Sequence, residues 1–330
     1  MSVKEKILVI GGGGYAGSRL VPVLLKNYKV KVLDTFWYGQ ESLKKFQCSP
    51  DLEIIVGDMR NQEIVNEALD GIDIVIHLAC ISNDPSFDLD PALGKSINLD
   101  SFEPLVKKAR NAGVQRFVYA SSSSVYGIKS EEKVTEDLIL EPLTDYSRFK
   151  AECERILLSN TTNDFVGTIL RPATLCGFSE RQRFDLVVNI LTNQAINEGK
   201  IRIYGGEQFR PNLHVDDMAE AYINVISQPV EKVKNEIFNV GGKNLTINQI
   251  AETISDVTGV SKFEYHMTND PRSYRVDSTK IERSLNYKPK RDIKSAIEDL
   301  FKAFQLGIFY RPLDNPLYFN ITRMQEFAVK

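Results

Sequence analysis

The sequence predicts an α/β protein with a doubly wound parallel sheet and a smaller mixed α/β domain. Two observations carry this prediction. Apolar runs of strand length alternate with helical patterns through the first half of the 330-residue chain, as they do in proteins built from parallel βαβ units. The first apolar run, residues 7–10, leads directly into closely spaced glycines and the start of a helix, which is typical of the first βα unit of such a sheet.

Six strands are predicted in the first half, and helical patterns such as residues 62–69 and 102–112 separate them. The strands cover residues 7–10, 30–33, 53–56, 72–78, 116–119 and 166–170. Parallel strands need crossover connections, and these connections are right-handed. The six strands therefore fit the order 3-2-1-4-5-6, in which ligands bind at the carboxyl ends of the strands.

The second half is mixed in character and contains no repeat and no linker rich in Gly, Pro or Ser. A polar loop with two arginines follows Cys176. After it, helices are predicted over residues 186–198, 215–226, 247–258 and 293–305, and strands over residues 201–204 and 236–240. Such a region is expected to pack over the open edge of the parallel sheet.

The glycine turn after the first strand satisfies two spacings at once. Gly12, Gly14 and Gly17 read as G-x-G-x-x-G, and Gly11, Gly14 and Gly17 read as G-x-x-G-x-x-G. Either spacing brings backbone N–H groups and a helix N-terminus to a diphosphate, although a plain strand-to-helix turn is the alternative. Asp34 ends the second strand at a distance from the glycines that suits a carboxylate accepting both ribose hydroxyls of an adenosine. Because a carboxylate repels a 2′-phosphate, the pattern predicts a Rossmann-type site for NAD rather than NADP.

Composition excludes several classes of function. A formal charge of −3 gives no basic surface for nucleic acid, so a substrate anion must be met by local cations. No stretch approaches the roughly 20 apolar residues of a membrane span, and the N-terminal segment lacks a signal-peptide core, so we expect a cytoplasmic protein without membrane partners. The cysteines form no C-x-x-C pair, which argues against a metal site or a disulfide framework; they are Cys48, Cys80, Cys153 and Cys176.

Polar residues follow the fifth predicted strand in two groups. Serines occupy residues 121–124, where that strand reaches its carboxyl end. Tyr146 and Lys150 then open a helix at positions i and i+4, which share one helix face. A fixed ammonium beside a phenol favours the ionised phenol, which can act as a general base. Taken alone, the Tyr-Lys spacing is equally consistent with a surface pair, and the serines with a turn.

A set of segments spread along the chain carries a family resemblance. They are GGGGYAGS (11–18), LD (33–34), GDMR (57–60), VIHLAC (75–80), YASSSSVYG (119–127), YSRFK (146–150), LRPATLCG (170–177), RPNLHVDDMA (210–219), FNVGG (238–242) and YRVDSTKIERSLNYKP (274–289). In these motifs the chain resembles the extended short-chain dehydrogenase/reductases, and among them the NAD-dependent sugar-nucleotide epimerase/dehydratase family. The resemblance covers nearly the whole chain, and jointly the motifs are highly specific.

The resemblance implies an NAD cofactor and the residues that hold it. Besides Asp34, Tyr146 and Lys150, the implied cofactor-binding residues are Gly11, Gly14, Tyr15, Ala16, Gly17, Asp58, Met59, Leu78, Ala79, Asn98 and Pro172. The implied catalytic residues are Ser122, Tyr146 and Lys150. In the implied step, a tyrosinate takes the proton of a sugar hydroxyl, usually at C4, while hydride passes to NAD and a 4-keto sugar forms.

The resemblance also implies that the second half holds the substrate. Arg210 matches the family arginine that contacts the diphosphate of the sugar nucleotide, and Arg272 resembles its partner, in keeping with the bidentate fit of guanidinium to phosphate. Arg181 and Arg183 lie in a loop expected to cover the substrate. The remaining expected substrate contacts are Ser123, Ser124 and Thr174. The alternative role for the arginines is an ion pair, either exposed to solvent or within the protein. His214 is expected to pack against its neighbours and to cap a helix.

Departures from the family's motifs narrow the expected activity. Members that eliminate water carry an Asp-Glu pair where this chain has Ser123 and Ser124, and a hydroxyl does not readily abstract a carbon-bound proton, so a 4,6-dehydratase is disfavoured. Typical 4-epimerases have an aromatic-Asn segment where this chain has Ala173 and Thr174. Cys176 stands where the family often has tyrosine, and an inert buried thiol is the expected role.

These expectations combine into one hypothesis about domains and function. Residues 1–172 are expected to form an NAD-binding Rossmann domain to which residues 212–242 return, and residues 173–211 and 243–330 to form a substrate-binding domain. The leading hypothesis is an NAD-dependent sugar-nucleotide epimerase, a homodimer of carbohydrate biosynthesis. A 4-dehydrogenase or reductase that acts once is the main alternative, and a non-catalytic NAD-sensing protein is a more distant one.

Overall fold

A seven-stranded parallel sheet forms the centre of the computed structural model, which describes residues 4–82, 84–268 and 273–328. The strands are β1 (Lys6–Ile10), β2 (Lys29–Asp34), β3 (Leu52–Val56), β4 (Ile74–His77), β5 (Arg116–Ala120), β6 (Val166–Pro172), β7 (Thr174–Cys176), β8 (Ile201–Tyr204), β9 (Phe209–His214), β10 (Glu236–Val240), β11 (Asn244–Thr246) and β12 (Phe263–His266). The large sheet has the order β10-β6-β5-β4-β1-β2-β3. The predicted order of the first six strands is confirmed, and β10 adds a seventh strand beside β6.

The strands of this sheet are apolar on both faces, as β1 illustrates. Ile7 and Val9 pack into the core on one face, whereas Leu8 and Ile10 pack into the core on the other, and none of the four is more than 1% exposed. Successive side chains of a strand point to opposite faces, so a continuous apolar run is buried only when both faces are covered. Helices therefore lie on both sides of the sheet.

The helices that cover the sheet come from all parts of the chain. The α-helices are α1 (Gly17–Leu24), α2 (Gln62–Leu69), α3 (Asp84–Phe87), α4 (Pro91–Lys95), α5 (Phe102–Asn111), α6 (Asp145–Asn160), α7 (Val187–Glu198), α8 (Val215–Ser227), α9 (Val230–Val233), α10 (Ile247–Thr258), α11 (Thr279–Leu285), α12 (Ile293–Gln305) and α13 (Asn320–Ala328). Short 3₁₀ segments cover Glu41–Phe46, Ser123–Tyr126 and Pro316–Tyr318, and a π segment covers Ser96–Asp100. Helices α1 and α8 cover one face of the sheet, and α2, α5 and α6 cover the other.

A separate apolar core lies in the second half of the chain. Helices α7, α10 and α12 pack around β8, with Ile203, Ile250 and Ile297 all buried. Two small sheets accompany this core, one with the order β11-β9-β7 and one in which β12 pairs with β8. The sequence predicted β8 but not the other four strands, because they are short or, like β9, interrupted by polar residues and proline. The division of the chain into two domains stays a prediction.

Over residues 4–82, 84–268 and 273–328, the structure contains no helix that combines the length and the apolar character needed to cross a membrane.

Candidate active site

A cleft of about 390 Å³ opens at the carboxyl ends of the parallel strands, where an open parallel sheet binds its ligands. The glycine turn, the segments that follow β2 to β5, and α6 all contribute to its walls. The structure brings most of the predicted site residues together there. They are Gly11, Gly14, Tyr15, Ala16, Gly17, Asp34, Asp58, Met59, Leu78, Ala79, Ser122, Ser123, Ser124, Tyr146, Lys150, Pro172, Thr174, Arg181 and Arg183.

The glycine turn between β1 and α1 has no room for side chains. Gly11 has a φ of +86°, and a Cβ atom there would lie 2.6 Å from the amide nitrogen of Ala79. A Cβ atom on Gly17 would lie 2.5 Å from the carbonyl oxygen of Gly12. These glycines therefore let the turn pack tightly against neighbouring backbone. The turn lines the cleft just where the positive N-terminal end of α1 begins, and this arrangement suits a diphosphate.

Asp34 ends β2 beside this turn. Its carboxylate accepts hydrogen bonds from the N–H groups of Gly13, at 2.9 Å, and Phe36, at 2.7 Å. Burial raises the pKa of Asp34, and the two backbone donors oppose that shift. The hydrogen bonds fix the carboxylate at the wall of the cleft, in the place expected for the ribose of an adenosine.

The other predicted cofactor contacts follow β3 and β4. The carboxylate of Asp58 accepts a hydrogen bond from the Arg60 guanidinium at 2.6 Å. Asn98 does not line the cleft but braces it from behind, because its side chain accepts from the N–H of Ile81 at 2.8 Å and donates to the Ile81 carbonyl at 2.9 Å. This bracing orders the loop after β4, and the role of Asn98 as a cofactor-binding residue stays a prediction.

The predicted catalytic residues meet at the carboxyl end of β5. Ser122 caps a 3₁₀ segment, its Oγ atom accepting from the N–H of Ser124 at 3.1 Å. Tyr146 lies in the first turn of α6, one turn before Lys150. Lys150 is buried, and its Nζ atom donates to the carbonyl of Ala120 at 2.6 Å while lying 5.9 Å from the centre of the Tyr146 ring. A serine hydroxyl, a phenol and an ammonium thus share one cleft, a set that can move a proton to and from a bound hydroxyl.

A buried ion pair behind this trio was missed by the sequence reasoning. Arg171 on β6 binds the carboxylate of Glu154 on α6 at 2.7 Å, and both side chains are less than 5% exposed. Ser121, beside Ser122, donates its hydroxyl to the same carboxylate. Arg171 also donates to the hydroxyl of Tyr126 at 2.8 Å. The pair therefore links β6, the serine cluster and α6, the three elements that carry the candidate chemistry. The sequence alone gives no sign that this arginine and this glutamate meet, because their contact depends on how the strands pair.

The substrate side of the cleft contains hydroxyl groups. Ser123 Oγ lies 3.3 Å from the hydroxyl of Tyr274, which also lines the cleft. Ser124 Oγ is buried and has no hydrogen-bond partner among the described residues. Thr174 lines the same region at the start of β7. This part of the cleft therefore carries hydroxyl groups, and no carboxylate stands at positions 123 and 124.

The four predicted substrate arginines fall in different places. Arg181 and Arg183 line the cleft and are 5% and 8% exposed. Arg210 lies on β9, is not among the residues that line the cleft, and donates a hydrogen bond to the carbonyl of Phe209 at 3.2 Å. Arg272 lies outside the described residues. Its role and that of Arg210 stay predictions.

The loop that carries Arg181 packs against the glycine turn. Ser179 Oγ lies 2.6 Å from Ser18 Oγ and donates to the carbonyl of Tyr15 at 2.8 Å. Tyr15 in turn donates its hydroxyl to the carbonyl of Gly177 at 2.6 Å. This loop therefore closes over the cofactor side of the cleft, a place that the sequence did not indicate.

Two residues near the cleft have structural roles. His214 caps α8, because its Nδ1 atom accepts from the N–H of Asp216 at 3.1 Å, which agrees with the expected capping role. His214, Asp216 and Asp299 lie close enough together to be possible metal ligands. Arg19 forms an ion pair with the Asp216 carboxylate at 2.7 Å, so part of the negative charge of this cluster is already neutralised. Cys176 is 1% exposed and does not line the cleft, and burial raises the pKa of its thiol.

Aromatic and amide side chains in the cleft were also missed. Trp37, Tyr38 and Asn320 all line it, two from the segment after β2 and one from the start of α13. The aromatic pair three and four residues after Asp34 is a local signal that could have been used. Asn320 has no such signal, because it reaches the cleft from near the C-terminal end of the chain.

Comparison with known proteins agrees with this geometry. The model of the NAD dependent epimerase/dehydratase family matches residues 7–241. A UDP-glucose 4-epimerase from Lactobacillus helveticus is 30% identical over 311 residues, which cover 87% of this chain and 93% of that protein. Two crystal structures superpose with a TM-score of 0.83 at 26% identity. One is a UDP-glucuronic acid 4-epimerase from Bacillus cereus in complex with UDP-glucuronic acid and NAD, covering 91% of this chain and 99% of that one. The other is a UDP-glucose 4-epimerase from Thermotoga maritima with UDP-glucose, covering 92% and 100%.

Proposed function

The chain belongs to the NAD-dependent epimerase/dehydratase family, and from this premise we propose that it interconverts sugar nucleotides that differ in configuration at C4 of the sugar. The observation that carries the proposal is the meeting of Ser122, Tyr146 and Lys150 in one cleft with the glycine turn. Such a cleft holds a dinucleotide and a proton-transfer group side by side. A protein that only senses NAD has no physical need for that trio.

The residues present fit NAD. Gly11 and Gly17 let the turn pack tightly against the backbone of Ala79 and Gly12, which places the turn at the N-terminal end of α1, where a diphosphate binds. The fixed carboxylate of Asp34 suits two ribose hydroxyls. When bound, NAD takes the hydride from C4 of the sugar and later returns it. The remaining chemistry, a proton transfer at the C4 oxygen, belongs to the protein.

Tyr146 is assigned as the group that moves this proton. Its phenolate oxygen takes the proton of the 4-hydroxyl as the C4–O bond becomes a carbonyl, and Ser122 donates a hydrogen bond to the same oxygen. The fixed positive charge of Lys150 favours the phenolate. In the reverse step the phenol returns the proton to the oxygen, and a hydride delivered to the opposite face of C4 leaves the inverted alcohol. No net redox equivalent is consumed.

UDP-sugars are the substrate class that we propose, because the relatives with 4-epimerase names act on or bind UDP-glucose and UDP-glucuronic acid. Ser123, Ser124 and Thr174 are assigned to the sugar hydroxyls. Arg210 and Arg272 remain assigned to the diphosphate of the substrate by family resemblance.

A dehydrogenase or reductase that acts once at C4 is the second candidate, since its first step would be the same. Incubation of the purified full-length protein with UDP-glucose or UDP-glucuronic acid, without added nicotinamide, separates the two. We expect conversion to the C4 epimer, detected by chromatography and NMR, and conversion about 10²- to 10⁴-fold slower by the Tyr146→Phe variant. Stoichiometric NADH together with a keto sugar would instead establish the dehydrogenase.

The proposal extends to the setting of the enzyme. We infer a homodimer in the cytoplasm that serves carbohydrate biosynthesis, on the basis of the family resemblance. Light scattering coupled to size-exclusion chromatography tests the dimer, which should give twice the 37.3 kDa chain mass.

A further inference from the structure

Arg181 is a buried cation that forms no ion pair within residues 4–82, 84–268 and 273–328, although the carboxylates of Asp34 and Asp185 act on its charge from nearby. Its side chain donates to Asn320 Oδ1 at 2.5 Å, whereas its Nε atom has no hydrogen-bond partner. The nearby Arg183, by contrast, is paired with Asp185 at 2.8 Å. Burial and the neighbouring charge of Arg183 lower the pKa of Arg181 to about 10, against the smaller opposing effects of Tyr38, Asp185 and Asp34, so the side chain stays charged at neutral pH. An unpaired buried charge is costly, so the site is built for an anion that binds there.

The position of Arg181 indicates which anion this is. Its backbone N–H donates to Ser18 Oγ, in the first turn of α1, at 3.5 Å, and its guanidinium carbon lies 3.8 Å from the centre of the Tyr38 ring. Tyr38 follows β2 and the carboxylate of Asp34. Arg181 therefore lies at the cofactor side of the cleft, between the N-terminal end of α1 and the segment after β2.

We propose that Arg181 binds the diphosphate of the dinucleotide, opposite the N–H groups of the glycine turn, and that Asn320 positions it. The inference rests on NAD being the cofactor in the proposed function. A helix N-terminus and a guanidinium are complementary donors for one diphosphate, because the first offers backbone N–H groups and the second a fork of charge-assisted hydrogen bonds. A 2′-phosphate is a less suitable partner, because Asp34 places a negative charge at that end of the site.

A ring of hydrogen bonds holds Arg181 in this place. Asn320 binds Arg181 through Oδ1 and donates through Nδ2 to Ser82 Oγ at 3.0 Å. Arg183 donates to the same Ser82 oxygen at 3.0 Å, and Asp185 pairs with Arg183 while accepting from the N–H of Asn320 at 3.1 Å. The ring joins the loop after β4, the loop before α7 and the start of α13 across the cleft. These contacts hold Arg181 in place, and a slow release of the dinucleotide would suit an epimerase that keeps its cofactor through both half-reactions.

Calorimetric titration of cofactor-free full-length protein with NAD, NADP and UDP tests the proposal. Arg181→Met should weaken NAD and NADP about 10- to 100-fold each, because both contain the diphosphate, and should leave UDP binding unchanged. The matched control is Arg155→Met, an exposed arginine on α6, which should change none of the three. Three results would overturn the proposal. Weaker UDP binding with unchanged NAD binding would make Arg181 a substrate-binding residue, and a loss of affinity for NADP alone would make it a residue that binds a 2′-phosphate. Unchanged affinity for all three ligands would exclude any contact of Arg181 with phosphate.

A second measurement separates binding from folding. Without cofactor, Arg181→Met should melt at the same temperature as the wild type or higher, because an unpaired buried charge has been removed, and the stabilisation that NAD gives should be smaller. Asn320→Ala keeps the arginine and should speed NAD dissociation while leaving UDP binding unchanged; an unchanged dissociation rate overturns the positioning role. These experiments measure binding and not turnover. If the wild-type protein binds NAD through Arg181 but forms no C4 epimer, the proposed function is refuted and this inference stands.

Discussion

The Nζ atom of Lys150 lies 2.6 Å from the carbonyl oxygen of Ala120, so the helix that carries Tyr146 is fastened to the end of β5. The serine cluster begins at the next residue. One buried ammonium therefore sets the distance between the hydroxyl of Ser122 and the phenol of Tyr146, in addition to placing a positive charge beside that phenol. Chemistry that needs both groups on one substrate oxygen depends on this contact.

Replacing Tyr146 by Phe should abolish proton transfer while leaving the cleft intact. We expect kcat for C4 epimerisation to fall about 10²- to 10⁴-fold, the usual contribution of a positioned general acid–base, with NAD affinity changed only a few-fold. Steady-state kinetics and calorimetric titration measure the two quantities. Tyr204→Phe, at an exposed tyrosine on β8, is the control. Full turnover by Tyr146→Phe would remove the basis of the enzyme hypothesis.

Asp34→Asn should narrow the preference for NAD over NADP. The amide retains one oxygen that can accept from the Gly13 N–H, whereas the hydrogen bond from the Phe36 N–H to the other carboxylate oxygen is lost. The charge that repels a 2′-phosphate is gone in the variant. We expect the ratio of the NADP and NAD dissociation constants to fall at least about tenfold, a change of about 1.4 kcal/mol. Parallel titrations with the two dinucleotides measure this ratio, and an unchanged ratio would show that Asp34 does not face the ribose.

The first six strands of the large sheet could be predicted because each is marked by its own run of apolar residues. Residues 7–10 are apolar at every position, and a strand can bury all four side chains only between two layers of helices. The seventh strand, Glu236–Val240, was recognised as a strand, but its place beside β6 depends on a pairing between residues about 70 positions apart, such as Phe238 with Leu170. Strands of three residues, such as Thr174–Cys176, carry too few side chains to show a period.

Some residues of the candidate site could likewise be predicted from short sequence motifs, and others could not. The glycine turn, Asp34 and the Tyr146–Lys150 pair are short motifs whose function follows from spacing, and they were identified before the fold was known. The roles of Glu154 and Asn320 arise only in three dimensions. Glu154 is one of several acidic residues along α6 until the sheet brings Arg171 to it, and Asn320 contacts Arg181, which is 139 residues away.

Glu154→Gln should destabilise the fold, because it leaves the guanidinium of Arg171 buried without its counter-charge. Removing one partner of a buried pair costs about 3–5 kcal/mol. Urea unfolding followed by circular dichroism measures the loss. Glu152→Gln on the same helix is a matched control, because its partner Arg155 is exposed, and its effect should be small. Equal effects of the two variants would contradict a structural role for the buried pair.

Below pH 6.5, His77 should make the protein sensitive to acid. Its imidazole stacks on the Tyr119 ring, with centres 5.8 Å apart, and its Nδ1 atom has no partner among the described residues. Burial and then the nearby charge of Lys150 lower the pKa of His77 to about 3. The unfolded chain binds a proton near pH 6.5 while the folded chain stays neutral, so acid favours unfolding across the window from pH 6.5 down to about 3.

The sign and size of this effect follow from linkage. Between pH 7.5 and pH 5, protonation of His77 in the unfolded state should cost the fold about 2 kcal/mol, since each unit below the unfolded pKa is worth about 1.4 kcal/mol. His77→Phe retains the stacking and has no proton to bind, so its free energy of unfolding should fall about 2 kcal/mol less than that of the wild type over this range. Urea unfolding at the two pH values measures the difference, with His266→Phe, at an exposed histidine on β12, as the control. If His77→Phe and the wild type lose stability in parallel, the imidazole is protonated in the folded protein and the environment described for it is wrong.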